Sequence, residues 1–249
     1  MFFSKIELKM KTRRNFLKST LLASPVLAVP DVSLILFGAE LPNVLLIGDS
    51  ISIGYTPFVK KSLKYKANVF RPVQDDGNPE NCSGTTKGVQ NIDRWLTSSG
   101  VENSGSQWNV IHFNFGLHDI KHVDPITGEN STNPKDPQQA PIKQYKQNLE
   151  IIVEKLKATG AKLIFATTTP YPNETTGPLR KPGMPVKYNQ AAIKIMNKNN
   201  IVINDLYAFM LPRMRDLQLP NNVHFTEEGS FELAKKVVER INEVILRKT

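Results

Sequence analysis

Two residues far apart in this 249-residue chain stand where nucleophilic chemistry could be done. Ser50 lies in residues 41–54, LPNVLLIGDSISIG. Val44, Leu45, Leu46 and Ile47 form an apolar run long enough for one buried strand, and Gly48 permits a sharp exit from it. Ser50 is left at the carboxyl end of that strand, where open α/β sheets place their ligands. A serine on a tight strand-to-helix turn offers an exposed hydroxyl and an anion-binding amide at the helix start. The same residue type also serves as a plain helix N-cap. His224 sits in Asn221-Asn222-Val223-His224-Phe225-Thr226, just before the last helical pattern. Neutral imidazole is the usual base for a serine hydroxyl near pH 7. A solvated loop histidine is the other reading.

The remaining candidates for chemistry are few. Cys82 is the sole cysteine, so no disulfide forms within the chain. It lacks a basic or helix-start setting that would activate a thiol, and it reads as a small packed residue. His112, His118 and His122 invite a metal reading, but His112 falls inside a strand pattern and no carboxylate stands at ligand spacing. No metal and no cofactor are expected.

The elements that must position these residues alternate. Strand patterns fall at 43–47, 68–71, 109–115, 162–167 and 201–204. Helical patterns fall at 56–66, with Pro57 in the first turn, and at 89–96, 142–159, 186–199 and 226–247. Residues 72–86, 123–141 and 171–185 are rich in Pro, Gly, Asn and Asp and read as loops. Alternation of this kind implies parallel strands, right-handed crossovers and helices on both faces. The expected architecture is a three-layer α/β/α flavodoxin-like sandwich around a central, mostly parallel five-stranded sheet. That topology brings Ser50, Gly84, residues 116–119, residues 168–170 and His224 to one edge of the sheet.

Composition is that of a globular protein, with 40% hydrophobic and 22% charged residues. Residues 1–39 differ in kind. Lys11-Thr12-Arg13-Arg14-Asn15-Phe16-Leu17-Lys18 precedes a moderately apolar run, and small residues follow near Ala28. This resembles a twin-arginine export signal, with Met10 as an alternative start. The expectation is a leader over residues 1–39, a catalytic domain over residues 40–249, a periplasmic or secreted location, and membrane contact only during export. A basic amphipathic helix is the other reading. The leader supplies +4 of the net charge of +9. The remaining basic residues are scattered among acids, so a nucleic-acid stripe is not indicated and no nucleic-acid partner is expected.

Four blocks, taken in order, resemble the SGNH/GDSL hydrolases: Gly48-Asp49-Ser50, Ser83-Gly84-Thr85-Thr86, Gly116-Leu117-His118-Asp119 and the His224 block. The resemblance runs from Val44 to the end. It implies Ser50 as nucleophile and His224 as base, with an oxyanion hole formed by the amides of Ser50 and Gly84 and by the third-block side chain. Two positions depart from the family pattern. His118 stands where the family has asparagine, and a neutral imidazole N–H can also donate. Asn221 stands where the family has the aspartate three residues before the histidine. Its carbonyl can orient the ring but cannot offset an imidazolium charge.

Asp49 is expected to stabilise its turn, and Asp119 to brace the third-block loop. Asp205 and Asp216 take ordinary surface or capping roles. Arg180, Lys181 and Tyr188 belong to the pocket rim as candidate substrate contacts. The expected activity is hydrolysis of carboxylic esters through an acyl-serine, on short O-acetyl groups of a carbohydrate or polysaccharide. A hydrolase of longer acyl chains and a carbohydrate-binding protein on the same fold are the rivals.

Overall fold

The computed structural model describes residues 40–97 and 107–246. The expected leader, residues 1–39, lies outside them. The apolar run at the front becomes β1 (Asn43–Ile47), buried along its whole length. Full burial on both faces is what a central parallel strand requires, and it explains why the sequence there is continuously apolar rather than alternating. β2 (Asn68–Phe70), β3 (Val110–Asn114), β4 (Lys162–Ala166) and β5 (Val202–Asn204) complete the sheet. The order is β2-β1-β3-β4-β5 and every pairing is parallel. The strand order therefore reverses between β1 and β3, and the crevice beyond their carboxyl ends is where such folds bind ligands.

Helices cover the sheet. α1 (Ser50–Leu63) packs with α8 (Glu227–Leu246), while α2 (Thr85–Thr97), α4 (Ile142–Ala158) and α5 (Met184–Lys198) pack in sequence with one another. Short helices α3 (Leu117–Ile120), α6 (Leu206–Met210) and α7 (Met214–Leu217) fill loops that carry too few residues to show a period. The core combines aliphatic strand residues with Trp95, Phe113, Phe115, Phe165, Tyr145 and Tyr188, all fully buried.

The first helix begins six residues earlier than its pattern predicts. Asp49, not Ser50, is the cap: Asp49 Oδ1 accepts the Ile51 N–H at 3.0 Å. Ser52 and Thr56 hydroxyls donate back to the carbonyls of Asp49 and Ser52 at 2.7 and 2.6 Å. Pro57 lies in the helix interior, where a first-turn position was expected. The functional consequence is direct. Ser50 is relieved of capping, and its hydroxyl is available to another partner.

Candidate active site

That partner is His224. Ser50 Oγ and His224 Nε2 are 2.8 Å apart across 174 residues of sequence. β1 and the Asp49 cap fix the serine. A tight turn fixes the histidine: Thr226 N donates to Leu217 O, Leu219 N to His224 O and Asn222 N to Leu219 O, with a bridge between Gln218 and Phe225. Ser50 is half-buried and His224 is exposed, so the pair faces solvent at the sheet edge.

The residue that meets the other side of His224 is Asn222, not Asn221. Asn222 Oδ1 stands 2.8 Å from His224 Nδ1 and accepts the His224 backbone N–H at 3.0 Å. Asn221 adopts a left-handed conformation (φ 49°), and its carbonyl accepts the amide of Thr176 at 2.8 Å. That conformation turns Asn221 toward the 171–183 segment and passes the orienting position to its neighbour.

Two helix starts converge beside the pair. The Ser50 amide is the first of α1 and belongs to the donors that have no partner within the helix. Gly84 O accepts the Gly88 amide, which puts Gly84 at the N-terminal boundary of α2. A Cβ on Gly84 would lie 3.0–3.1 Å from the Asp119 carboxylate, so only glycine fits without displacing it. Asp119 Oδ1 accepts both the amide and the hydroxyl of Thr85, at 2.8 and 2.5 Å. It clamps the third-block loop to the second-block loop. Burial pushes the carboxyls of Asp49 and Asp119 up to about 6 each.

His118 lies on α3, directly after Gly116, whose φ of 149° and contact with Thr168 admit no side chain. Burial first, and then the positive charges of Lys121 and Arg180, push the His118 imidazole down to about 3. The ring is therefore neutral, carrying one N–H donor and one lone pair. Its Nδ1 is sealed without a partner. His224 is also held below its ordinary value near 6.5, by burial and then by Arg180, which keeps it in the basic form near neutrality.

Other candidates take structural places. Tyr188 is fully buried on α5. Its hydroxyl donates to Ala140 O at 2.8 Å and its ring lies 4.8 Å from that of Tyr145, so it contacts no substrate. Arg180 is buried, with Nε donating to Leu117 O at 3.1 Å. Lys181 is exposed and reaches Pro134 O at 3.3 Å. Cys82 is buried, and desolvation lifts its thiol to about 12. His112 faces Asn204 in the core and His122 meets Asp136 O, away from any shared centre. Among the described residues, no group of three or more His, Cys, Asp or Glu side chains is placed to hold a metal ion. Asp205 caps α6 and Asp216 pairs with Arg215.

Sequence reasoning missed Arg71. This buried guanidinium donates to Glu80 O at 2.8 Å and to Thr56 Oγ1 at 2.9 Å, joining α1 to the loop that carries Gly84. The one signal it left is an arginine at the carboxyl end of a strand, immediately before Pro72.

A model of the GDSL-like lipase/acylhydrolase family matches residues 46–230. The chain belongs to that family. It is a serine hydrolase acting on ester bonds, and its sheet is the α/β scaffold of solved SGNH hydrolases. One similar structure is an acetyl xylan esterase, AlAXEase, at 16% identity and TM-score 0.60, covering 80% of this chain and 99% of that one. Another is a carbohydrate esterase family 3 protein from Talaromyces cellulolyticus, at 15% identity and TM-score 0.58, covering 84% and 100%. A third is a lipase/acylhydrolase from Enterococcus faecalis, at 18% identity and TM-score 0.58, covering 82% and 96%. No curated protein matches the sequence.

Proposed function

We propose that this GDSL-family hydrolase is an exported esterase that removes short acyl groups, acetyl above all, from a carbohydrate. The observation that carries the reading is the 2.8 Å Ser50–His224 contact, open to solvent at the sheet edge. An open site accepts a bulky polymer on the alcohol side of the ester. Asn222 lies against His224, and the Arg180 charge reaches it. The twin-arginine pattern at residues 11–18 supports export.

In this reading His224 Nε2 takes the hydroxyl proton as Ser50 Oγ attacks the carbonyl carbon. The oxyanion is received by the amides of Ser50 and Gly84 and by a neutral N–H of His118. Collapse expels the sugar alcohol, which takes the proton back from His224. Water, deprotonated by the same imidazole, then frees acetate from the acyl-serine. Asn222 accepts from Nδ1 and holds the ring in the tautomer this requires.

The test is acetate release from acetylated glycans and from an aryl acetate, with Ser50→Ala alongside. Release that disappears in the variant supports the reading. Activity confined to long-chain esters would replace it with a lipase-like one. Absence of release from any ester, with the fold intact, would leave a binding protein.

A further inference from the structure

Arg180 is placed unlike any other cation near the active site. Its shaft is buried and the residue is only 7% exposed. Nε is anchored to the carbonyl of Leu117, the residue before His118. Among the described residues, Nη1 and Nη2 have no hydrogen-bond partner, and neither is sealed from solvent. Among the described residues, no carboxylate forms an ion pair with Arg180. Asp49 is near enough for the two charges to act on one another, but its Oδ1 is occupied in capping α1. The neighbouring cations are committed elsewhere: Lys87 to Glu80, and Lys121 to Asn130. The Arg180 charge is also felt at His224 and at His118.

A buried guanidinium that makes no ion pair is costly to maintain. Its two free nitrogens form a planar fork matched to a carboxylate or another oxyanion. We propose that Arg180 is an anion-recognition site beside the nucleophile, and that the ester substrate carries a carboxylate close to its acylated position, as an acidic glycan built from uronic acids does. The proposal rests on the carbohydrate-ester reading above and narrows it.

The chemistry of the site gives such a substrate a second effect. Attack by Ser50 makes His224 an imidazolium, which the neutral Asn222 cannot offset and the Arg180 charge opposes. A bound carboxylate neutralises Arg180 and removes that opposition. Anionic substrates therefore gain in kcat as well as in KM.

The experiment compares one O-acetylated uronoside as its free carboxylate and as its carboxamide, two ligands of the same shape. For the full chain, kcat/KM for the carboxylate should exceed that for the carboxamide at least tenfold at low salt. The ratio should shrink as ionic strength rises. Arg180→Gln should bring the ratio to within about threefold of unity, and Arg180→Lys should leave it in between.

Binding of the same two ligands to the Ser50→Ala chain, measured by calorimetry, repeats the comparison without turnover. If neither ligand is hydrolysed but the carboxylate alone is bound, the esterase reading fails and the anion site stands. Equal binding and equal turnover of the two ligands by the parent chain would overturn the anion site. So would a preference that survives in a folded Arg180→Gln variant. Should that variant not fold, the Arg180→Lys ratio and the salt dependence of the parent decide.

Discussion

Asn222 Oδ1 lies between two nitrogens of the same residue, the backbone N and the Nδ1 of His224, at 3.0 and 2.8 Å. The backbone nitrogen is always a donor, so the Asn222 atom facing it is the carbonyl oxygen and not the amide nitrogen. That oxygen can only accept, so Nδ1 carries the ring proton. Nε2 is then left with its lone pair aimed at Ser50 Oγ, 2.8 Å away. One neutral side chain thus selects the catalytic tautomer through a backbone contact. What it does not provide is negative charge.

Asn222→Asp supplies the charge and leaves the geometry in place. An opposite charge beside His224 favours its protonated form. The acid limb of kcat/KM should start below pH 6.5 in the parent, since burial and Arg180 both lower the imidazole. It should move up by about one unit or more in the variant. Above that limb kcat/KM should rise about tenfold, the equivalent of ~1.4 kcal/mol in the transition state. A limb that stays in place would show that Asn222 does not sense the charge on the ring.

His118 is tested by removal and by reversion. Its neutral ring stands where the family has asparagine. His118→Ala should lower kcat/KM by about 10²–10³, the cost of one oxyanion donor. His118→Asn restores an uncharged donor and should remain within about tenfold of the parent. Equal loss in both variants would mark His118 as a packing residue. A circular-dichroism melt checks that each variant is folded.

Much of this arrangement was legible before the structure was known. Apolar runs at Val44 and Ile111 mark parallel strands because both faces are buried, and the strand order then carries Ser50 and His224 to the same edge. The orienting asparagine is Asn222, one residue beyond the position the family spacing predicts. The choice rests on a positive φ at Asn221, and loop register leaves no period in a sequence. The sequence predicts Tyr188 at the rim, but a tyrosine pattern is the same whether its hydroxyl meets water or, as here, the carbonyl of Ala140. Arg71 leaves no motif because its partners are backbone carbonyls and hydroxyls, which no residue pattern records.

Arg71→Met should therefore destabilise the fold without touching the reacting groups. The substitution fills similar space but takes the charged donor from the Glu80 carbonyl and from the Thr56 hydroxyl, which keeps only its bond to the Ser52 carbonyl. Loss of hydrogen bonds made by a charged group costs about 1.5–3 kcal/mol. Urea unfolding should show a lower midpoint with an unchanged slope. The Gly84 loop would also be freed on one side, so kcat should fall more than KM rises. Stability equal to the parent would show that the cluster is dispensable.

Asp119 gives a prediction whose sign comes from burial. Its folded value is raised to about 6 from an ordinary 3.8, so between these pH values the native state holds a proton that the unfolded chain has released. Its ionisation therefore works against folding as pH rises through that window. Asp119→Asn removes the titration while its Oδ1 can still accept from the Thr85 amide and hydroxyl. Whatever constant cost the exchange carries, the stability of the variant relative to the parent should increase from pH 4 to pH 6 and level off above pH 7. The size of that increase should be on the order of 2–3 kcal/mol, since each unit of displacement is worth about 1.4 kcal/mol. Urea melts of both proteins at pH 4, 5, 6 and 7 measure it. A difference that stays flat would mean that Asp119 is ionised throughout the range, stabilised by the two Thr85 donors beyond what burial takes away.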